Sequence, residues 1–105
     1  MAHLKVYENV NTATRKAYPY LLDIQSDLLD DLRTTVVIPL SPAARAGAAA
    51  IERLCPVVEV QGSSYVALTQ QMAGIERKML GGEVADLASY RPQIIAALDF
   101  IVSGF

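Results

Sequence analysis

His3 and Cys55 are the two side chains of this sequence with the most versatile chemistry, and they stand far apart. A structural zinc site takes four ligands from cysteine and histidine, so one of each does not make one. A Ser-His-Asp constellation needs a buried, oriented imidazole, and a histidine at position 3 lies where chains fray. A cysteine nucleophile needs cationic neighbours that depress its pKa. Cys55 instead sits between Leu54 and Pro56, which reads as a small buried hydrophobe. Asp27, Asp30 and Asp31 gather three carboxylates, yet they lack the alternating spacing and central glycine of a calcium loop. Aspartates also bond their own backbone in turns. Gly81-Gly82 lacks the Lys-Ser/Thr that completes a phosphate loop. The expectation is a protein that is not an enzyme, holds no metal and no cofactor, and acts by binding.

The elements that must carry such a binding surface are short. The segment Leu4-Lys5-Val6-Tyr7 alternates and reads as a strand, and Glu8 to Lys16 reads as a surface loop. Tyr18 to Ile24 returns to strand-forming types, with Pro19 at its start. Thr34 to Leu40 is β-branched and apolar, a central strand expected to end near Pro39. Ser41-Pro42 before an alanine-rich run to Ile51 signals a short helix start, stopped by Pro56. Val57 to Val60 and Tyr65 to Leu68, flanking Gln61-Gly62-Ser63-Ser64, predict a hairpin. Gln70 to Leu80 predicts a bent edge and a further strand, Gly81-Gly82 a turn, and Glu83 to Leu87 a connection. The last segment predicts a helix, with Ser89 as N-cap, Pro92 in the first turn, and Ile94, Ile95, Leu98, Ile101 and Val102 at helical spacing. Five to seven short strands and one C-terminal helix give an α+β, mostly β, small barrel.

Bulk properties bound what this barrel does. The 105 residues favour a single domain, 1–105. Hydrophobic residues make up 52% and charged residues 19%; a surplus of apolar side chains on so small a body leaves some at the surface, and exposed apolar patches mark interfaces. A homodimer is expected on that ground. Nine basic and eleven acidic residues leave a net charge of −2, which is no footprint for direct nucleic-acid binding. One cysteine, no signal pattern after Met1 and no apolar run near the ~20 residues of a membrane span point to the cytoplasm and to no membrane partner.

Asp23-Ile24-Gln25-Ser26-Asp27-Leu28-Leu29-Asp30, then Val37-Ile38-Pro39-Leu40, then Glu83-Val84-Ala85-Asp86-Leu87 and Gly104-Phe105 resemble, in order and spacing, the CcdB family. These are toxins of bacterial toxin–antitoxin modules. The resemblance is collinear over nearly the whole chain. It implies a small antiparallel barrel of the Src-homology type, a five-stranded sheet plus a smaller sheet, with one C-terminal helix. It also implies a tight homodimer that binds the A subunit of DNA gyrase and traps the enzyme on cleaved DNA. A cognate antitoxin neutralises such a toxin through a disordered C-terminal segment, and the pair binds its own promoter through the antitoxin. The gyrase-binding positions that carry over are Leu28, Leu29, Asp99, Val102, Ser103, Gly104 and Phe105. Ser103 departs from the tryptophan of the family's plasmid-borne toxin. Tyr7 and Ser64, the latter in the hairpin turn, carry over as antitoxin contacts, and Ile101 and Val102 as dimer contacts. Two alternatives stay open, since fold does not fix function: an endoribonuclease toxin sharing the fold, and a non-toxic descendant that still binds an antitoxin.

Overall fold

The computed structural model describes residues 4–25, 29, 31–46 and 54–104. They form strands β1 (Lys5–Asn9), β2 (Tyr20–Asp23), β3 (Thr34–Pro42), β4 (Val57–Val60), β5 (Ser63–Ala67), β6 (Ala73–Glu76) and β7 (Leu80–Asp86). A one-turn helix, α1 (Ala43–Ala46), follows β3, and α2 (Arg91–Ser103) ends the described chain. All pairings are antiparallel, in the order β4-β5-β3-β2-β1-β7, with β6 also on β3. The architecture is the expected α+β, mostly β, barrel-like sheet with a C-terminal helix.

Alternation decides which side chains fill the core. Val6, Leu22 and Ile38 sit opposite one another across β1, β2 and β3, and all three are fully buried. Leu4, Leu40, Val58, Val60, Ala67, Leu87 and Ile94 of α2 join them in this cluster. Each such burial is worth about 1.5–3 kcal/mol. The intervening residues Tyr7, Leu21 and Pro39 pair in the same way and share the opposite face of the sheet.

Pro39 does not end its strand; β3 continues to Pro42, and the expected short helix begins at the next residue, Ala43. Proline lacks an N–H and is costly in a sheet centre. Here its carbonyl accepts from the Leu68 amide at 3.0 Å, so its nitrogen also faces away from β2. On that side β6 pairs with residues 34–37 and β5 with 40–42. The missing donor therefore falls in the gap between two partner strands.

The β4–β5 hairpin closes on Gln61 and Gly62, both at positive φ (52° and 84°), the combination that a two-residue turn of right-handed twist needs. Ser63 and Ser64 are strand residues, not turn residues, and Ser64 pairs with Glu59. Gly81-Gly82 is likewise no turn, and Glu83 to Asp86 is no loose connection: all lie in β7, beside β1. A Cβ on Gly81 would lie 2.9 Å from Glu8 Cβ and 3.1 Å from the Glu8 carbonyl, so glycine here allows close approach of backbones. Ser89 does not cap α2. It sits in a 3-10 turn, Ala88–Tyr90, whose first amide is held by Asp86 Oδ1 at 2.8 Å; α2 starts at Arg91 with Pro92 in its first turn.

Candidate functional site

The last turns of α2 bring together most of the expected site residues. Ile94 and Ala97 are buried and Leu98 packs on the core. That fixes the helix rotation and turns Ile95, Asp99 and Val102 outward, one above the other at i, i+4 and i+7. Ile95 is 46% exposed and Val102 85%. Ile101, half-buried, stands at the edge of this strip. Ser103 is exposed but turns its hydroxyl back on its own helix, donating to the Asp99 carbonyl at 2.7 Å. Gly104 adopts the left-handed conformation (φ 77°), and its amide reaches the Phe100 carbonyl at 2.8 Å. This is the usual chemistry of a helix C-terminus, so Gly104 has a structural task beside any contact it makes. Phe105 lies outside the described residues.

A second patch stands on the loop between β2 and β3. Leu29 is 46% exposed and Leu32 48%; Leu28 lies outside the described residues. Three N–H groups converge on the Leu29 carbonyl: the Leu32 amide at 3.1 Å, Gln25 Nε2 at 3.4 Å and Arg77 Nη2 at 3.4 Å. Arg77 Nε also donates to the Leu32 carbonyl at 2.8 Å. Asp23 stands behind the guanidinium, with Oδ2 3.9 Å from Nη1. Its Oδ1 accepts from the Thr35 hydroxyl at 2.7 Å and the Gln25 amide at 3.1 Å. Leu32, Gln25 and Arg77 were not among the sequence-based site residues. Leu32 was open to inference, three positions after Leu29; Arg77 carries no local signal, because its partners are more than 40 positions away.

Tyr7 and Ser64 do not meet within one chain. Tyr7 is on β1 and Ser64 on β5, with β2 and β3 between them, a separation of roughly 14 Å at ordinary strand spacing. Burial, then the Asp23 and Glu83 carboxylates, pushes the Tyr7 phenol above its ordinary pKa. Next to it, on the same sheet face, a pocket of about 270 Å³ opens over Leu21, Val37 and Pro39, rimmed by Asn9, Asn11 and Gln71. Asn9 Nδ2 is already engaged with Thr14 Oγ1 at 3.0 Å and the Tyr18 carbonyl at 2.8 Å, which ties down the loop beyond β1. Cys55 is buried, its thiol donating to Gln70 Oε1 at 3.2 Å. Among the described residues no His, Cys, Asp and Glu side chains cluster as metal ligands do, and no helix is long and apolar enough to cross a membrane.

These surfaces display aliphatic side chains on a rigid frame, which is the equipment of a protein that binds another protein. Comparison with known families agrees with that reading: the model for the CcdB protein family matches residues 3–104. The chain therefore belongs to the CcdB family, toxins of toxin–antitoxin modules, which implies an antitoxin as partner.

Proposed function

We propose that this toxin is a homodimer that binds the A subunit of DNA gyrase and traps the enzyme–DNA cleavage complex, and that its cognate antitoxin reverses this. The observation that carries the reading is Val102. A β-branched side chain left 85% exposed at the end of a helix whose other face is core has no use in the chain's own folding. Exposed apolar groups in a cluster serve interfaces. Gyrase contacts are assigned to Asp99, Val102, Ser103, Gly104 and Phe105 on α2 and beyond, and to Leu28 and Leu29 on the β2–β3 loop. Ile101 and Val102 are assigned to the dimer contact, with Ile95 exposed on the same helix face beyond Asp99. Tyr7 and Ser64 are assigned to the antitoxin. Tyr7 pairs with Leu21, which lines the apolar pocket, and this favours docking of a chain segment there. Ser64 is exposed on β5.

The test is binding of the purified chain to a gyrase A-subunit fragment, with a cleavage-trapping assay alongside. Binding with accumulation of cleaved DNA supports the proposal; no binding to gyrases from several bacteria removes it. One observation favours a second reading, a descendant that binds antitoxin but does not poison. Ser103 offers a small hydroxyl already satisfied by Asp99, where the family's plasmid-borne toxin has an aromatic anchor of the kind that dominates interfaces. Retained antitoxin binding without gyrase binding is the result expected of that descendant. Incubation with RNA checks the nuclease alternative.

A further inference from the structure

Among the described residues, Arg77 reaches the β2–β3 loop from far along the sequence. Arg77 follows β6 directly, and its backbone amide donates to the Arg33 carbonyl at 2.8 Å, which docks the guanidinium beside the loop. From there Nε takes the Leu32 carbonyl and Nη2 the Leu29 carbonyl, while Nη1 faces Asp23. The ion pair is long at 3.9 Å and partly solvated, and pairs of that kind contribute little. The shorter carbonyl contact shows where the side chain is committed. Only arginine presents several donors in a fixed planar fork; lysine offers a single centre. Asp23 in turn is held by the fully buried Thr35, so the guanidinium is fixed from behind as well. With their carbonyls held by Arg77, Leu29 and Leu32 remain half-exposed.

We propose that Arg77 is a positioning residue for target binding: it clamps the β2–β3 loop so that Leu29 and Leu32 are presented outward as a preformed pair. The target half of this rests on the gyrase reading above; the clamp does not. The experiment compares the full chain with Arg77→Lys, Arg77→Gln and Gln25→Ala. Two quantities are measured: hydrogen exchange of the Leu32 amide, which donates to the Leu29 carbonyl, and dissociation from a gyrase A-subunit fragment at low and moderate salt.

Both Arg77 variants should melt near wild type, exchange the Leu32 amide roughly tenfold faster or more, and lose about tenfold in gyrase affinity through faster dissociation. Gln25→Ala should move both readouts in the same direction by less. Unchanged Leu32 exchange in both Arg77 variants overturns the clamp. Wild-type affinity in Arg77→Lys together with loss in Arg77→Gln overturns positioning, since it makes position 77 a simple charge contact. A wild-type chain that binds no gyrase fragment overturns the target half, while the exchange result still decides the clamp by itself.

Discussion

Val102, Ser103 and Gly104 are three consecutive residues with three different obligations. Val102 owes nothing to the core of its own chain, so Val102→Asp should leave the monomer's unfolding free energy within about 0.5 kcal/mol of wild type, while the dimer that shares this contact weakens and sedimentation shifts toward monomer. Gyrase affinity, by contrast, should fall at least about tenfold, because a charge would be desolvated at an apolar contact. Binding that survives in a folded Val102→Asp protein would move the contact elsewhere on the surface. Ser103 spends its hydroxyl on the carbonyl four residues back, an arrangement that slightly weakens helices. Ser103→Trp therefore gives up little, and the ring adds apolar area beside Val102. Titration against the gyrase fragment should show about tenfold tighter binding, on the order of 1–2 kcal/mol; a neutral or weaker result would mean that the surface there suits a different partner. At Gly104, positive φ sets the outcome. Gly104→Ala should cost about 1 kcal/mol in a denaturant melt, which separates its capping task from any target contact.

Among the elements, β7 depends most on a single atom that is absent. Gly81→Ala places a methyl against Glu8 Cβ and the Glu8 carbonyl of β1, and overpacking of this kind typically costs about 1–3 kcal/mol. Gly82→Ala meets nothing within 4 Å and should melt like wild type, so the pair of variants isolates the close approach from generic glycine effects. The same strand shows where the sequence was hard to read. Two adjacent glycines signal a turn as strongly as a close contact, and only the position of β1 decides between them. Pro39 misled for a similar reason: its missing N–H is harmless only because two partner strands meet at that point. Ser89 looked like a cap, but the Arg91 amide already donates to the Ala88 carbonyl and Pro92 has no N–H to offer. The β4–β5 hairpin and α2 were legible, since alternation, the Gln61-Gly62 turn and the spacing of Ile94 and Leu98 are local signals that packing did not override. The exposed strip on α2 was not, because spacing alone groups Ile95 and Val102 with the buried Ile94; Asp99 and Val102 came from the family resemblance. The clamp on the β2–β3 loop was not, because Arg77 and its partners Asp23, Leu29 and Leu32 are neighbours only after β3 and β6 have paired.

For the whole molecule, alkaline pH and self-association are the informative variables. Burial raises the pKa of both Tyr7 and Tyr65, the latter packed edge-on against Tyr20 at 5.2 Å. A phenol whose pKa is higher in the folded chain holds its proton better there than in the unfolded chain. Its contribution is complete below the ordinary tyrosine value near ~10 and is lost as pH climbs through the raised one. The melting temperature should therefore fall above about pH 10, and Tyr7→Phe should flatten that fall; equal slopes in both proteins would exclude Tyr7 as a cause. The apolar strip on α2 predicts a symmetric dimer burying at least ~1,000 Å² in total, and sedimentation at low micromolar concentration showing only monomer would count against it. The sheet order has one more consequence, in the time of synthesis. β1 lies between β2 and β7, and Asn9 pairs with Leu80. A ribosome adding roughly 5–20 residues per second needs on the order of 4–14 s to travel that stretch. Throughout that interval the nascent chain has no β7 to cover β1 and no α2 to close the core. The α2 half of the surface assigned to the target does not exist until that helix is made, so an unfinished copy of this toxin should bind its target too weakly to harm the cell.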